Sequence, residues 1–131
     1  MKILNDFSHA VIIELGAGKG NFLSWYSINF LICTALGGLS HYLVEKYSSI
    51  RQNVHFILLD RSNSRRKQDS KLKILKVNFD RVFIDLKDAD LGSLINTTCK
   101  IVFFVAKHLC GSATCMALRS IVRLQNARPD L

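Results

Sequence analysis

The stretch AVIIELGAGKG, residues 10–20, decides how the rest of this 131-residue chain is to be read. Ala10 to Leu15 is a short, mostly apolar run that stops at glycine, the pattern of a strand buried in a parallel sheet. Gly16, Gly18 and Gly20 follow at once. Glycines at a strand end let the backbone pass close to a ligand, and free N–H groups at a following helix N-terminus would face the same place. The spacing is GxGxG. It is neither the GxGxxG of the dinucleotide fingerprint nor a phosphate-binding P-loop, since no GKS or GKT follows at the required interval.

Working outward, the chain alternates strand and helix signals. Gly38 to Tyr47 reads as a helix with Leu39, Tyr42, Leu43 and Tyr47 on one side and Glu45 and Lys46 outside. His55 to Asp60 (HFILLD) reads as a second buried strand. Ser64 to Leu75 lacks glycine and proline and is expected to be partly helical and basic. Asp80 to Asp85 alternates like a third strand, Asp90 to Ile95 is a short helix or turn, and Lys100 to Ala106 (KIVFFVA) is a fourth strand. Thr114 to Leu124 repeats Met116, Ala117, Ile121 and Leu124 at helical spacing, and ARPDL at the end reads as a frayed tail. Such alternation implies an α/β fold with a parallel sheet and right-handed crossovers. The expected strand order is 3-2-1-4, within one domain over residues 1–131.

Composition is globular, with 49% apolar residues and one proline. Lys and Arg number 18 against 10 acids, a formal charge of +8, which suits a polyanionic partner such as RNA. Cys33, Cys99, Cys110 and Cys115 form no CxxC pair, and the four histidines stand at no zinc-site interval from them. Reduced intracellular thiols and no metal are the expectation. The apolar stretch near Phe22 to Leu36 is shorter than the about twenty residues a bilayer crossing needs, so no membrane is expected. No address signal separates nucleus from cytoplasm.

One segment breaks the pattern. Asn21 to Gly37 (NFLSWYSINFLICTALG) is uncharged and aromatic and stands between the glycine loop and its helix. In sheets of this kind an acid ending the second strand meets ribose hydroxyls about twenty residues beyond the loop. Asp60 is that acid, yet it lies forty residues past Gly20. Without the seventeen residues 21–37 the interval becomes twenty-three, so spacing and composition mark the same segment as an insertion. Its composition resembles translated non-coding sequence, and we read it as a retained intron or mispredicted exon boundary. Its Phe22, Trp25, Tyr26 and Phe30 are therefore not read as a base-stacking surface.

Glu14 two residues ahead of the loop, together with GxGxG, resembles the first motif of Rossmann-like, S-adenosylmethionine-dependent methyltransferases. Further blocks sharpen this: ELGAGKG joined to GLSHYLVEK, LLDRSNSRRKQDSKLK, DRVFIDLKDADL, and KHLCGSATCMALRS. In this order they resemble the tRNA methyltransferase 13 family, whose enzymes methylate a ribose 2′-hydroxyl in the tRNA acceptor stem. The resemblance implies S-adenosyl-L-methionine as cofactor, tRNA as partner, methyl transfer near nucleotide 4, and a methyltransferase domain of which this chain is the first, donor-binding half. Carried over, Glu14, Gly16, Gly18, Gly20, Asp60 and Asp85 would bind the cofactor. Lys107 and His108 would line the reaction centre, as base or orienting groups. Read without the resemblance, His108 caps a turn and Lys107 is solvated. The basic run Arg61, Arg65, Arg66, Lys67 would contact RNA backbone or form a solvated face. The chain departs from the family at Cys115, where an acid follows KHLCGxAT. Two other readings stay open: a catalytically incompetent fragment that at most binds RNA, and a related methyltransferase with another substrate.

Overall fold

The computed structural model describes residues 10–16, 38–46, 54–61, 69–107, 109 and 111–131. The segment 21–37, Gly18, Gly20, Arg65, Arg66, Lys67, Tyr47, Cys33, His108 and Cys110 lie outside the described residues.

The elements run β1 (Ala10–Leu15), α1 (Gly38–Lys46), β2 (Val54–Asp60), α2 (Asp69–Ile74), β3 (Phe79–Phe83), α3 (Leu91–Leu94), β4 (Ile101–Val105) and α4 (Ser112–Ala127). The four strands form one parallel sheet in the order β3-β2-β1-β4, as the sequence predicts. The register sets Ile13 beside Ile57 on one flank and Phe104 on the other. Every residue of β1 is buried because both its flanks are paired and both faces are covered.

Alternation along the strands makes two cores. Val11, Ile13, Leu15, Ile57 and Leu59 pack with Leu91 of α3 and Ala117 and Leu124 of α4. Ala10, Ile12, Phe56 and Leu58 point the other way, onto Val44 of α1 and Leu72 of α2. Parity along β1 therefore turns Glu14 toward the α1 side and leaves the opposite face to α3 and α4.

Four local expectations are corrected. The buried face of α1 is Ser40, His41 and Val44, while Leu39, Tyr42 and Leu43 are half-buried. The helix is rotated because Ser40 meets the Glu14 carboxylate through its backbone N–H (3.0 Å) and its hydroxyl. The third strand ends at Phe83, so Asp85 stands two residues beyond it in a turn, where its carboxylate accepts the Lys87 N–H at 3.2 Å. The helix expected from Thr114 begins at Ser112. The tail is not frayed: the Arg128 guanidinium donates to the carbonyls of Cys99 (3.3 Å) and Thr97 (3.5 Å) and to Asp130 (2.7 Å), and Leu131 packs against the first core.

The Glu14–Ser40 contact carries a pH signature. Burial pushes the Glu14 carboxyl above its ordinary value of 4.5, and the hydrogen bonds from Ser40 and the charge of Arg81 oppose that rise without cancelling it. A carboxyl raised on folding contributes stability that is complete below the unfolded value and is lost as pH climbs through the folded one. Glu14→Gln removes this titration but keeps an acceptor for Ser40. Its stability relative to the parent, measured by urea unfolding from pH 4 to 8, is expected to rise with pH. Ser40→Ala, which strips one donor from the buried carboxylate, is expected to cost about 2 kcal/mol. A pH-independent difference for Glu14→Gln would contradict this account.

Candidate functional site

The carboxyl ends of β1, β2 and β3 open onto a single cavity of about 300 Å³. In open parallel sheets that edge is where ligands lie, because the strand ends and helix N-termini leave backbone groups facing it. The cavity is lined by Gly16 after β1, Leu59, Asp60 and Arg61 at the end of β2, Ile84, Asp85 and Leu86 after β3, and Leu109, Ser112, Ala113 and Met116 around the start of α4. Its volume falls at the lower end of the range for small-molecule sites, about 300–1,000 Å³.

Local conformation explains how these residues reach the cavity. Gly16 turns the chain out of β1 with φ 68°, and Gly111 enters α4 with φ 57°, a left-handed region that side chains with a Cβ rarely occupy. Ile84 continues the strand pairing for one further bond, its N–H donating to the Asp60 carbonyl at 3.0 Å. That bond holds the ends of β2 and β3 together and brings Asp60 and Asp85 to one wall. Asp60 is 7% exposed, a buried carboxylate in a wall that also holds the apolar side chains of Leu59, Ile84, Leu86, Ala113 and Met116. Such a wall suits a ligand with a flat apolar part and vicinal hydroxyls: the ring slides between the aliphatic side chains, and the hydroxyls donate to the carboxylates.

Of the residues expected from sequence to bind a cofactor, Gly16, Asp60 and Asp85 converge here although they are far apart in the chain. Glu14 does not line the cavity. It is 3% exposed and its carboxylate is engaged by Ser40 at the start of α1. Arg61, expected on an RNA surface, instead lines the cavity beside Asp60. Lys107 lies just past β4, is exposed and is not among the lining residues, whereas Leu109 two positions on is. Cys115, in the first turn of α4, is an exposed free thiol. Sequence reasoning passed over Ser112, Ala113 and Met116. Their signal is the i, i+3 spacing of Ala113 and Met116 just after Gly111, the glycine that opens α4. Among the described residues no group of three or more His, Cys, Asp or Glu converges as a metal site, and no helix is long and apolar enough to cross a membrane.

Comparison with known proteins adds an independent observation. The family model for the methyltransferase TRM13 matches residues 1–130. The tRNA:m(4)X modification enzyme TRM13 of the yeast Vanderwaltozyma polyspora is 40% identical over 123 residues, covering 87% of this chain and 25% of the yeast protein. The enzyme of the same description from Schizosaccharomyces pombe is 37% identical over 126 residues, covering 88% of this chain and 29% of its own length. A mouse homologue is 32% identical over 112 residues, covering 84% and 20%. This chain thus spans less than a third of each of these relatives. No solved structure matches it. With the family model matched over nearly the whole chain, and with the sheet order and loop signature it was expected to carry, this protein belongs to the TRM13 methyltransferase family.

Proposed function

We propose that this chain is the methyl-donor-binding part of a tRNA ribose 2′-O-methyltransferase of Rossmann-like fold, acting on the acceptor stem near nucleotide 4 with S-adenosyl-L-methionine as donor. The observation that carries the reading is the meeting of Gly16, Asp60 and Asp85 in one cavity at the carboxyl edge of the sheet. These residues fit the donor. Asp60 presents a carboxylate to ribose hydroxyls, Asp85 stands at the edge of the slot formed by Ile84, Leu86, Ala113 and Met116 where an adenine would lie, and Gly16 leaves room for the chain that carries the sulfonium. When bound, S-adenosylmethionine supplies an electrophilic methyl group.

The protein's share of the reaction is positional. Asp60 and Asp85 fix the orientation of the bound nucleoside, the aliphatic lining excludes water from it, and the open side of the cavity leaves an approach for the acceptor hydroxyl. Holding two reactants in a productive geometry removes much of the entropic barrier. A ribose hydroxyl is a weak nucleophile and loses its proton as the new bond forms. Lys107 and His108, which precede Leu109 in the sequence, are the groups we assign to receiving that proton or orienting its donor.

The test is transfer of labelled methyl from S-adenosylmethionine to tRNA by this chain, followed by alkaline hydrolysis. A 2′-O-methyl group blocks cleavage on its 3′ side, so the expected product is an alkali-resistant dinucleotide from the acceptor stem. Label on a base, or none in tRNA, would overturn the reading.

The same proposal treats residues 21–37 as dispensable. Ser40 sits within hydrogen-bonding distance of Glu14, so the start of α1 lies against the end of β1. Ala17 to Gly20 alone would then be the connection between Gly16 and Gly38, at a reach of about 3.5 Å per residue. Shortening the connection from 21 residues to four recovers, by loop-closure scaling, about 1.5 kcal/mol. The deletion variant is therefore expected to unfold at higher urea concentration and to bind S-adenosylmethionine at least as tightly as the parent. A variant that no longer folds or binds would show the segment to be integral.

A further inference from the structure

A second surface, on the outer face of α4, is not used by the donor site. A groove of about 580 Å³ is lined by Lys87 from the turn after β3 and by Met116, Leu118, Arg119, Val122 and Arg123 of α4. Arg119 and Arg123 are one turn apart and both are exposed, and α4 holds no acid anywhere along its 16 residues. Arg123 is held in place: its guanidinium donates to the Lys87 carbonyl (3.2 Å) and to the Ser120 hydroxyl oxygen (2.9 Å), and the Ser120 hydroxyl donates to the Leu86 carbonyl (2.8 Å). None of these acceptors is a carboxylate, so the arginine's charge is oriented but not neutralised. Two acids stand near Lys87: the Asp85 carboxylate accepts its backbone N–H at 3.2 Å, and Asp88 lies 3.9 Å from its ammonium with both side chains more than half exposed, a contact worth little in water. In the same lining, Leu118 and Val122 are 58% and 52% exposed.

Met116 lines both this groove and the donor cavity. The two therefore adjoin at Met116, near the start of α4. A methyl acceptor must touch the donor, so the molecule that carries it must lie across a surface adjoining the donor cavity. We propose that Lys87, Arg119 and Arg123 hold the sugar–phosphate backbone of the RNA acceptor, with Leu118 and Val122 against its ribose faces. This inference rests on the tRNA reading above. It assigns the RNA contact to α4 rather than to the basic run 61–67. The chemistry agrees with the target: an RNA duplex offers a wide, shallow minor groove edged by phosphates and 2′-hydroxyls, and such a groove is met by an exposed helix face rather than by a deep cleft. An acidic protein would satisfy the same charges, but nothing would place it beside the donor.

The test is salt-dependent binding of unmodified tRNA to the whole chain and to the double variant Lys87→Gln/Arg119→Gln. Arg123 is left intact because its hydrogen bonds tie α4 to the turn. Thermal unfolding and S-adenosylmethionine affinity are measured on the same samples, and a labelled ten-residue polyglutamate serves as a second probe. The double variant is expected to bind tRNA about tenfold more weakly at 100 mM salt, with the slope of log affinity against log salt reduced by about two, and with donor affinity unchanged. Unchanged tRNA affinity and slope would overturn the surface and leave the tRNA reading standing. Loss of polyglutamate binding with tRNA binding intact would overturn it in favour of an acidic protein partner. Failure of the unaltered chain to bind tRNA, with donor binding retained, would overturn both the surface and the tRNA reading.

Discussion

Replacing Asp60 with alanine is expected to weaken S-adenosylmethionine binding by about a hundredfold. Asp60 ends β2, is 7% exposed and lies in the cavity wall beside Gly16 and Asp85. Hydrogen bonds that involve a charged group contribute about 1.5–3 kcal/mol each. Loss of a carboxylate that accepts from ribose hydroxyls therefore removes about 3 kcal/mol of binding, a factor of a hundred or more. Asp60→Asn keeps the shape and one acceptor, and is expected to fall between the parent and the alanine variant. Calorimetric titration checks the series, with circular dichroism confirming that β2 is intact. Equal affinities across the three proteins would mean that the donor does not lie against Asp60.

The largest expected loss of stability lies away from the cavity. Arg81 on β3 grips Asp69, the first residue of α2, through a forked contact: its Nε donates to both carboxylate oxygens at 3.0 and 2.9 Å, and its Nη2 to one of them at 2.6 Å. The Arg81 side chain is 5% exposed and that of Asp69 25%. Taking away the acid removes the forked partner of a buried guanidinium that cannot lose its proton. Breaking a buried pair from one side typically costs about 3–5 kcal/mol, against a whole-domain stability of about 5–15 kcal/mol. Asp69→Ala is thus expected to lose about 3 kcal/mol by urea unfolding, and the double change Asp69→Leu with Arg81→Met to recover most of it. A loss below about 1 kcal/mol for Asp69→Ala would show that solvent already screens the pair.

These two sites differ in how plainly the sequence announces them. The sheet order and the convergence of Gly16, Asp60 and Asp85 were legible because parallel strands bring all their carboxyl ends to one edge, whatever lies between them in the chain. The glycine loop and HFILLD therefore sufficed to pick out Asp60. Asp85 lines the cavity but was wrongly expected in the strand. An alternating run such as DRVFID carries no mark for the point where pairing stops, and here the turn closed by the Asp85 carboxylate on Lys87 ends it. Glu14 does not line the cavity, and the reason is instructive. Its place in the motif suggested the ligand, but its parity on β1 sets it on the side of Ile12, where it meets Ser40. The same contact rotated α1 away from the face that Leu39, Tyr42 and Leu43 would have chosen. Spacing along one element cannot foresee a hydrogen bond between residues 26 apart. The ordered tail was equally hidden, since Arg128 finds its carbonyl partners at Thr97 and Cys99 only once the chain is folded.

The central claim is that the cavity at the ends of β1, β2 and β3 holds a methyl donor. Its most direct test is calorimetric titration of S-adenosylmethionine into the purified monomeric chain at neutral pH. The account predicts one site per chain with micromolar affinity, displaced competitively by S-adenosylhomocysteine. Absence of heat from a folded chain, at concentrations where micromolar binding would register, would contradict it.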